Sequence, residues 1–154
     1  MSTWATRLAT FFGVGYFPIA SGTVASAVAL PFAWLLVRAG WKWLLIASAV
    51  ATLVGIWACS VHVKKVRISD PSECVIDEVV GQWLALLPAA VAFREDWRPF
   101  VMAFFLFRIF DIWKLWPLSA AERLPGGLGV MADDVLAGLI AAACLYGMLY
   151  IRLI

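Results

Sequence analysis

The stretch from residue 41 to 63 is apolar almost from end to end, and it is one of several such stretches in a chain of 154 residues. A helix needs about 20 apolar residues to cross the hydrocarbon core of a bilayer, within a range of about 17–25. Segments 23–37, 41–63, 77–93, 100–111 and 133–151 approach that length. Hydrophobic residues make up 64% of the chain and charged residues 14%. Ordinary soluble domains carry about 25% charged residues, and a soluble chain exposing this much apolar surface aggregates. The sequence therefore predicts an all-α, polytopic integral membrane helical bundle with four to five membrane-embedded helices, built as a single domain over 1–154.

The connecting segments fit that reading. Residues 1–12 are expected to form a short amphipathic helix near the surface, followed by a Gly/Pro-rich loop over 13–22. The apolar stretch near Arg7 breaks at Gly13, Gly15 and Pro18, so no removable signal peptide is expected. A turn at 94–99 precedes the fourth span, and a long loop over 112–132, with Pro117, Pro125, Gly126, Gly127 and Gly129, precedes the last. Nine Trp suit the interfacial belts of a membrane protein. A formal charge of +2, with no basic run, argues against nucleic acid as a partner. Cys59, Cys74 and Cys144 are odd in number and far apart, which suggests no disulfide framework. Cys59 and Cys144, in apolar segments, are expected to be packing residues.

Crossing the bilayer once per span places 1–22, 64–77 and 112–133 on one side. Asp70, Asp77, Glu78, Asp111, Asp133 and Asp134 all belong to that side or to helix ends facing it. Basic residues divide as seven on the carboxylate side (Arg7, Lys64, Lys65, Arg67, Arg108, Lys114, Arg123) and five opposite (Arg38, Lys42, Arg94, Arg98, Arg152). By the positive-inside rule this small bias points the carboxylate face to the cytoplasm.

Carboxylates held together repel, and a site that keeps them ionised needs cations among them. Mg²⁺ takes oxygen ligands, commonly one or two carboxylates with waters and a phosphate. Asp77-Glu78 and Asp133-Asp134 are each expected to open a helix. A single such pair is accounted for by capping and the helix dipole. Two pairs plus Asp70 and Asp111 on one face favour a metal site. A repeated pattern accompanies them, DEVVG at 77–81 and DDVLAG at 133–138. In each, an acid stands four residues before a glycine (Asp77/Gly81 and Asp134/Gly138), on one helix face, where glycine admits a neighbouring helix.

Arg108 and Asp111 lie three apart inside the apolar run FFLFRIFDIW and are neighbours on one helix face. One reading is an ion pair that lets the helix end carry charge. The other gives Asp111 to a metal and Arg108, with its planar fork, to a substrate phosphate. Lys114, three residues further on, supplies a second cation for that phosphate. Ser21-Gly22-Thr23 precedes an apolar helix, and free backbone N–H groups at such an end favour phosphate as well as simple capping. His62, the only histidine, is either a general acid or a structural residue.

Several phosphatase chemistries are excluded. There is no second histidine for a phosphohistidine mechanism, no Cys followed six residues later by Arg, and no Asp-x-Asp nucleophile motif. Metal-assisted attack on phosphorus, or an unrecognised aspartyl nucleophile, remains.

Three blocks carry a family resemblance: GYFPIASGT (15–23), DPSECVIDEVVG (70–81) and FRIFDIWKLWPLSAAERLPGGLGVMADDVLAG (107–138). Together they resemble the phosphatidylglycerophosphatase A family, over most of the chain. The resemblance implies a Mg²⁺-dependent membrane lipid phosphatase of bacterial phospholipid synthesis, in the inner membrane, converting phosphatidylglycerophosphate to phosphatidylglycerol. It implies a metal and catalytic set of Asp77, Glu78, Asp111, Asp133 and Asp134, with Asp70 as a further metal ligand. Arg108 and Lys114 would bind the phosphate, with Ser21 and Thr23 at the helix start. One departure is visible: the family's usual Lys-Pro-Trp-Pro is Lys114-Leu115-Trp116-Pro117 here, and losing a proline loosens that loop. The competing function is a small cation transporter or channel, which would place polar residues at mid-membrane depth. Mid-span residues are instead nearly all apolar.

Overall fold

The computed structural model describes residues 2–92 and 95–154. Every regular element among them is helical: α1 (Ser2–Ala9), a 3-10 turn (Val14–Tyr16), α2 (Ser21–Ala39), α3 (Trp41–Val66), α4 (Ile76–Ala85), α5 (Leu87–Val91), α6 (Arg98–Trp113), α7 (Leu118–Ala121) and α8 (Gly127–Tyr150). Residue 1 of the expected amphipathic segment, and Phe93 and Arg94 between the third span and the next turn, lie outside the described residues.

Three of these helices, α2, α3 and α8, are long and apolar enough to cross a membrane. Their exposed faces carry Leu35, Ile46, Val50, Leu53, Trp57 and Leu139, side chains that suit lipid rather than water. The expected third span is divided into α4 and α5, which meet at Leu86. Pro88 stands in the first turn of α5. It has no N–H to continue the α4 ladder, so the helix restarts instead of running on. The expected fourth span is α6, 16 residues long. At 1.5 Å per residue it reaches about 24 Å, less than the ~30 Å hydrocarbon core.

The last helix begins earlier than its apolar pattern suggests. α8 starts at Gly127, inside the expected loop, so Asp133 and Asp134 lie about two turns into the helix rather than opening it. Glycine explains the early start. A side chain at Gly127 would strike Ile56 and Ser60 of α3, and one at Gly129 would strike the Leu124 carbonyl. The Gly127 N–H donates to Ser60 Oγ at 3.1 Å, which anchors the new helix end to α3. Buried two turns from the end, Asp133 and Asp134 neither cap α8 nor complement its dipole.

α8 runs through the middle of the bundle against α3, α4, α5, α6 and α7. Its closest neighbour is α4, at the two glycines of the repeated pattern. A Cβ on Gly138 would meet the Gly81 carbonyl, and one on Gly81 would press into the Phe107 ring and lie 2.8 Å from the Asp134 carbonyl. The glycines thus set the backbone approach that brings Asp77 and Asp134, each four residues earlier, to one level. Gly138→Ala is expected to lower stability by about 1–3 kcal/mol, the usual effect of overpacking, seen as a reduced Tm in detergent; an unchanged Tm would show that the crossing tolerates more space.

A core of Leu44, Leu86, Phe107, Ala137, Ala141 and Leu145 fills the half of the bundle away from the acids. Beyond it the 95–99 turn and the C-terminus meet around a cavity of ≈ 430 Å³ lined by Asp96, Arg98 and Arg152. These are residues expected on the face opposite the carboxylates. The Asp96 carboxylate accepts the Arg98 backbone N–H at 3.0 Å and its guanidinium at 2.7–3.1 Å, which holds the Asp96 carboxyl below its ordinary pKa.

Candidate active site

Four segments converge on a cavity of ≈ 400 Å³. The first is the start of α4. Asp77 and Glu78 stand in its first turn, Asp77 7% exposed and Glu78 half-buried. The loop before α4 is held from several sides. The Val75 N–H donates to the Ala9 carbonyl at 2.9 Å, and Ser21 Oγ donates to the Ser72 carbonyl at 2.8 Å. His62 Nε2 lies 3.2 Å from Glu73 Oε1. Cys74 is joined to Cys59 of α3 as a disulfide. That pairing corrects the expectation for Cys59, because the end of α3 lies against this loop; Cys144 is free and exposed on α8, not packed. His62 is thereby tied to loop placement and does not line the cavity.

The second segment is the second turn of α8, with Asp133 5% and Asp134 3% exposed. The third is the end of α6, where Arg108 and Asp111 form an ion pair one turn apart. Lys114 follows immediately, in a left-handed conformation with φ 40° that ends the helix and turns its side chain back. Its ammonium lies 2.9 Å from Asp133 Oδ2 and 3.2 Å from Glu122 Oε1. Burial opposes the charge, but those two carboxylates outweigh it and raise the Lys114 pKa above its ordinary value. The fourth segment is the start of α2.

The acids fall into two groups of three. In Asp77, Glu78 and Asp134, one oxygen from each residue lies within 4.8 Å of the others, and the same holds for Asp111, Asp133 and Asp134. Asp134 belongs to both. Asp77 Oδ1, Glu78 Oε2 and Arg108 Nε are buried without a hydrogen-bond partner. Unmet buried acceptors of this kind carry a large desolvation penalty. An all-oxygen donor set with orphaned carboxylate oxygens fits a hard divalent cation, and these residues could hold one.

Asp70 lines the cavity from its exposed rim, outside both groups of three. Ser21 lines it too, with its hydroxyl committed to Ser72. Thr23 is not among the lining residues. One lining residue, Gly22, was not singled out from the sequence. Gly22 lies in the α2 start directly against Glu78: a Cβ there would collide with the Glu78 carboxylate and lie 3.4 Å from Arg108 Nη1. Gln82, four residues after Glu78 on the same α4 face, is fully buried with both side-chain polar atoms unpartnered, but it is not among the residues lining the cavity. No sequence signal marked Gly22, because only the α2–α4 approach gives it meaning.

Buried carboxylates set beside an arginine and a lysine, in a chain with three helices of spanning character, are the equipment of a membrane phosphohydrolase. The chain belongs to the phosphatidylglycerophosphatase A family, whose model matches residues 7–149, and it is a phosphoric monoester hydrolase. It is 35% identical over 140 residues to the phosphatidylglycerophosphatase A of Escherichia coli, covering 90% of this chain and 80% of that protein. It is 34% identical over 145 residues to the Haemophilus influenzae protein of the same name, covering 93% and 87%. A Bacteroides thetaiotaomicron protein named putative phosphatidylinositol-3-phosphatase is 42% identical over 137 residues, covering 85% and 84%. No solved structure gives a significant match.

Proposed function

We propose that this protein hydrolyses the terminal phosphate monoester of phosphatidylglycerophosphate, giving phosphatidylglycerol and inorganic phosphate, with Mg²⁺ as cofactor. One observation carries the reading: the acids Asp77, Glu78, Asp111, Asp133 and Asp134 line one cavity with Arg108 and Lys114, in a chain of this family. A phosphate monoester needs both kinds of group, one to hold a cation and one to grip its oxygens. Arg108 Nε, buried and unpartnered, is a donor in waiting for such an oxygen. Lys114 adds a second positive charge, and a carboxylate oxygen accepts the proton of the attacking water. Bound Mg²⁺ would supply charge neutralisation and a more acidic water.

The setting proposed is the bacterial inner membrane, as a multi-pass protein with the cavity facing the cytoplasm. In it α4–α5 and α6 also sit within the bilayer against α8, making up the four to five embedded helices. The lipid's acyl chains stay in the membrane while its headgroup enters the cavity. Exposed Trp113 and Trp116, just beyond Asp111, suit the interfacial depth this requires.

The test is phosphate release by purified protein in detergent from phosphatidylglycerophosphate, phosphatidylinositol 3-phosphate and phosphatidate. The first is expected to be turned over fastest. Preference for the second would favour the activity named for the Bacteroides relative. No release from any of the three, together with cation flux in proteoliposomes, would favour the transport alternative. Arg108→Lys is expected to raise KM about tenfold in the same assay, because a point charge lacks the guanidinium fork; an unchanged KM would remove Arg108 from phosphate binding.

A further inference from the structure

We propose that the cavity binds two divalent cations side by side, with Asp134 as the carboxylate common to both. The proposal rests on the phosphatase reading for the anion that completes the site. Its geometry comes from the two groups of three acids, Asp77/Glu78/Asp134 and Asp111/Asp133/Asp134. A carboxylate has two oxygens, so a residue placed between two such groups can serve each with one of them. Asp134, 3% exposed in the middle of the cluster, is the residue so placed.

The first group points to a ligand independently of its composition. Asp77 is 7% exposed, and its Oδ1 has no partner. Glu78 Oε2 is likewise buried and unmet. The second group is satisfied differently: Arg108 pairs with Asp111 and Lys114 with Asp133. Both basic groups have somewhere else to turn. Lys114 already reaches Glu122 at 3.2 Å on its other side, and Arg108 keeps an unpartnered Nε. Asp111 and Asp133 are therefore held in place by cations that can be redirected to a phosphate.

Charge balance separates one ion from two. When ionised, the five acids of the two groups exceed Arg108 and Lys114 by three negative charges, with Asp70 apart from them on the solvent-exposed rim. A single divalent cation leaves a net negative site, into which a phosphate monoester of about −2 charge would be repelled. Two divalent cations leave the site positive by one, and the bound dianion then brings it to −1. Only the second arrangement makes the cavity attractive to the anion it is built around.

The test uses the purified full-length protein in detergent, stripped with EDTA and titrated with Mn²⁺ as the probe in the presence of inorganic phosphate. Ions per chain are counted, and the electron paramagnetic resonance spectrum reports whether they are exchange-coupled. The expected result is two Mn²⁺ per chain with a coupled spectrum. Glu78→Gln and Asp111→Asn, on opposite sides of the pair, should each reduce the count to one and abolish the coupling. Asp77→Asn serves as a second variant of the first group should Glu78→Gln lose its helical circular dichroism. Saturation of the wild type at one Mn²⁺ per chain, or two ions with no coupling, overturns the proposal. Because no lipid enters this experiment, failure to hydrolyse phosphatidylglycerophosphate would sink the proposed substrate and leave the ion count standing.

Discussion

Asp134→Asn should reduce kcat for phosphate release by about 10³-fold in a protein that still folds. Asparagine keeps the size of the side chain, so the α4–α8 contact around this buried position is retained. What disappears is one negative charge at the residue shared by both groups of acids. A positioned divalent cation is worth several kcal/mol of transition-state stabilisation, and about 4 kcal/mol corresponds to about 10³ in rate. Asp77, Glu78, Asp111 and Asp133 each belong to one group only, so each is expected to have a smaller effect. The check is kcat of purified Asp134→Asn beside its helical circular dichroism. Turnover within about a factor of ten of wild type, in a folded variant, would take Asp134 out of the chemistry.

Gly22→Ala should lower kcat about 10²-fold with little change in Tm. The added Cβ falls where the Glu78 carboxylate now lies and close to Arg108. A flexible carboxylate end can swing aside, so the fold survives while the acid leaves its place. Displacement of a catalytic group by about 1 Å can cost about 10² in rate. Ser21→Ala next to it removes only the hydroxyl bonded to Ser72 and should act weakly. Near-normal turnover in Gly22→Ala would mean that Glu78 works from another position.

Much of this was legible in the sequence because it depends on local pattern. Apolar run length marked α2, α3 and α8, and the acid-to-glycine spacing at 77–81 and 133–138 marked two helix faces open to a close neighbour, though not that each is the other's. Following parity through the spans brought acids from α4, α6 and α8 to one face, where the structure has them lining one cavity. The misses have non-local causes. Apolar composition runs straight through Pro88, but the hydrogen-bond ladder does not, so one expected span became α4 and α5. Gly126, Gly127 and Gly129 look like loop until the α3 backbone at Ile56 and Ser60 and the Leu124 carbonyl are in place; only then do they explain why α8 begins so early. The Cys59–Cys74 pairing and the Gly22–Glu78 contact join segments whose proximity no spacing encodes.

At the centre of the account, buried acidic side chains drawn from three helices hold a divalent ion for removal of a lipid's terminal phosphate. The most direct measurement is phosphate release from phosphatidylglycerophosphate in detergent, after EDTA treatment and during stepwise restoration of Mg²⁺. No turnover is expected in EDTA, with saturable recovery as Mg²⁺ is added. Undiminished turnover in EDTA would contradict this role for the ion.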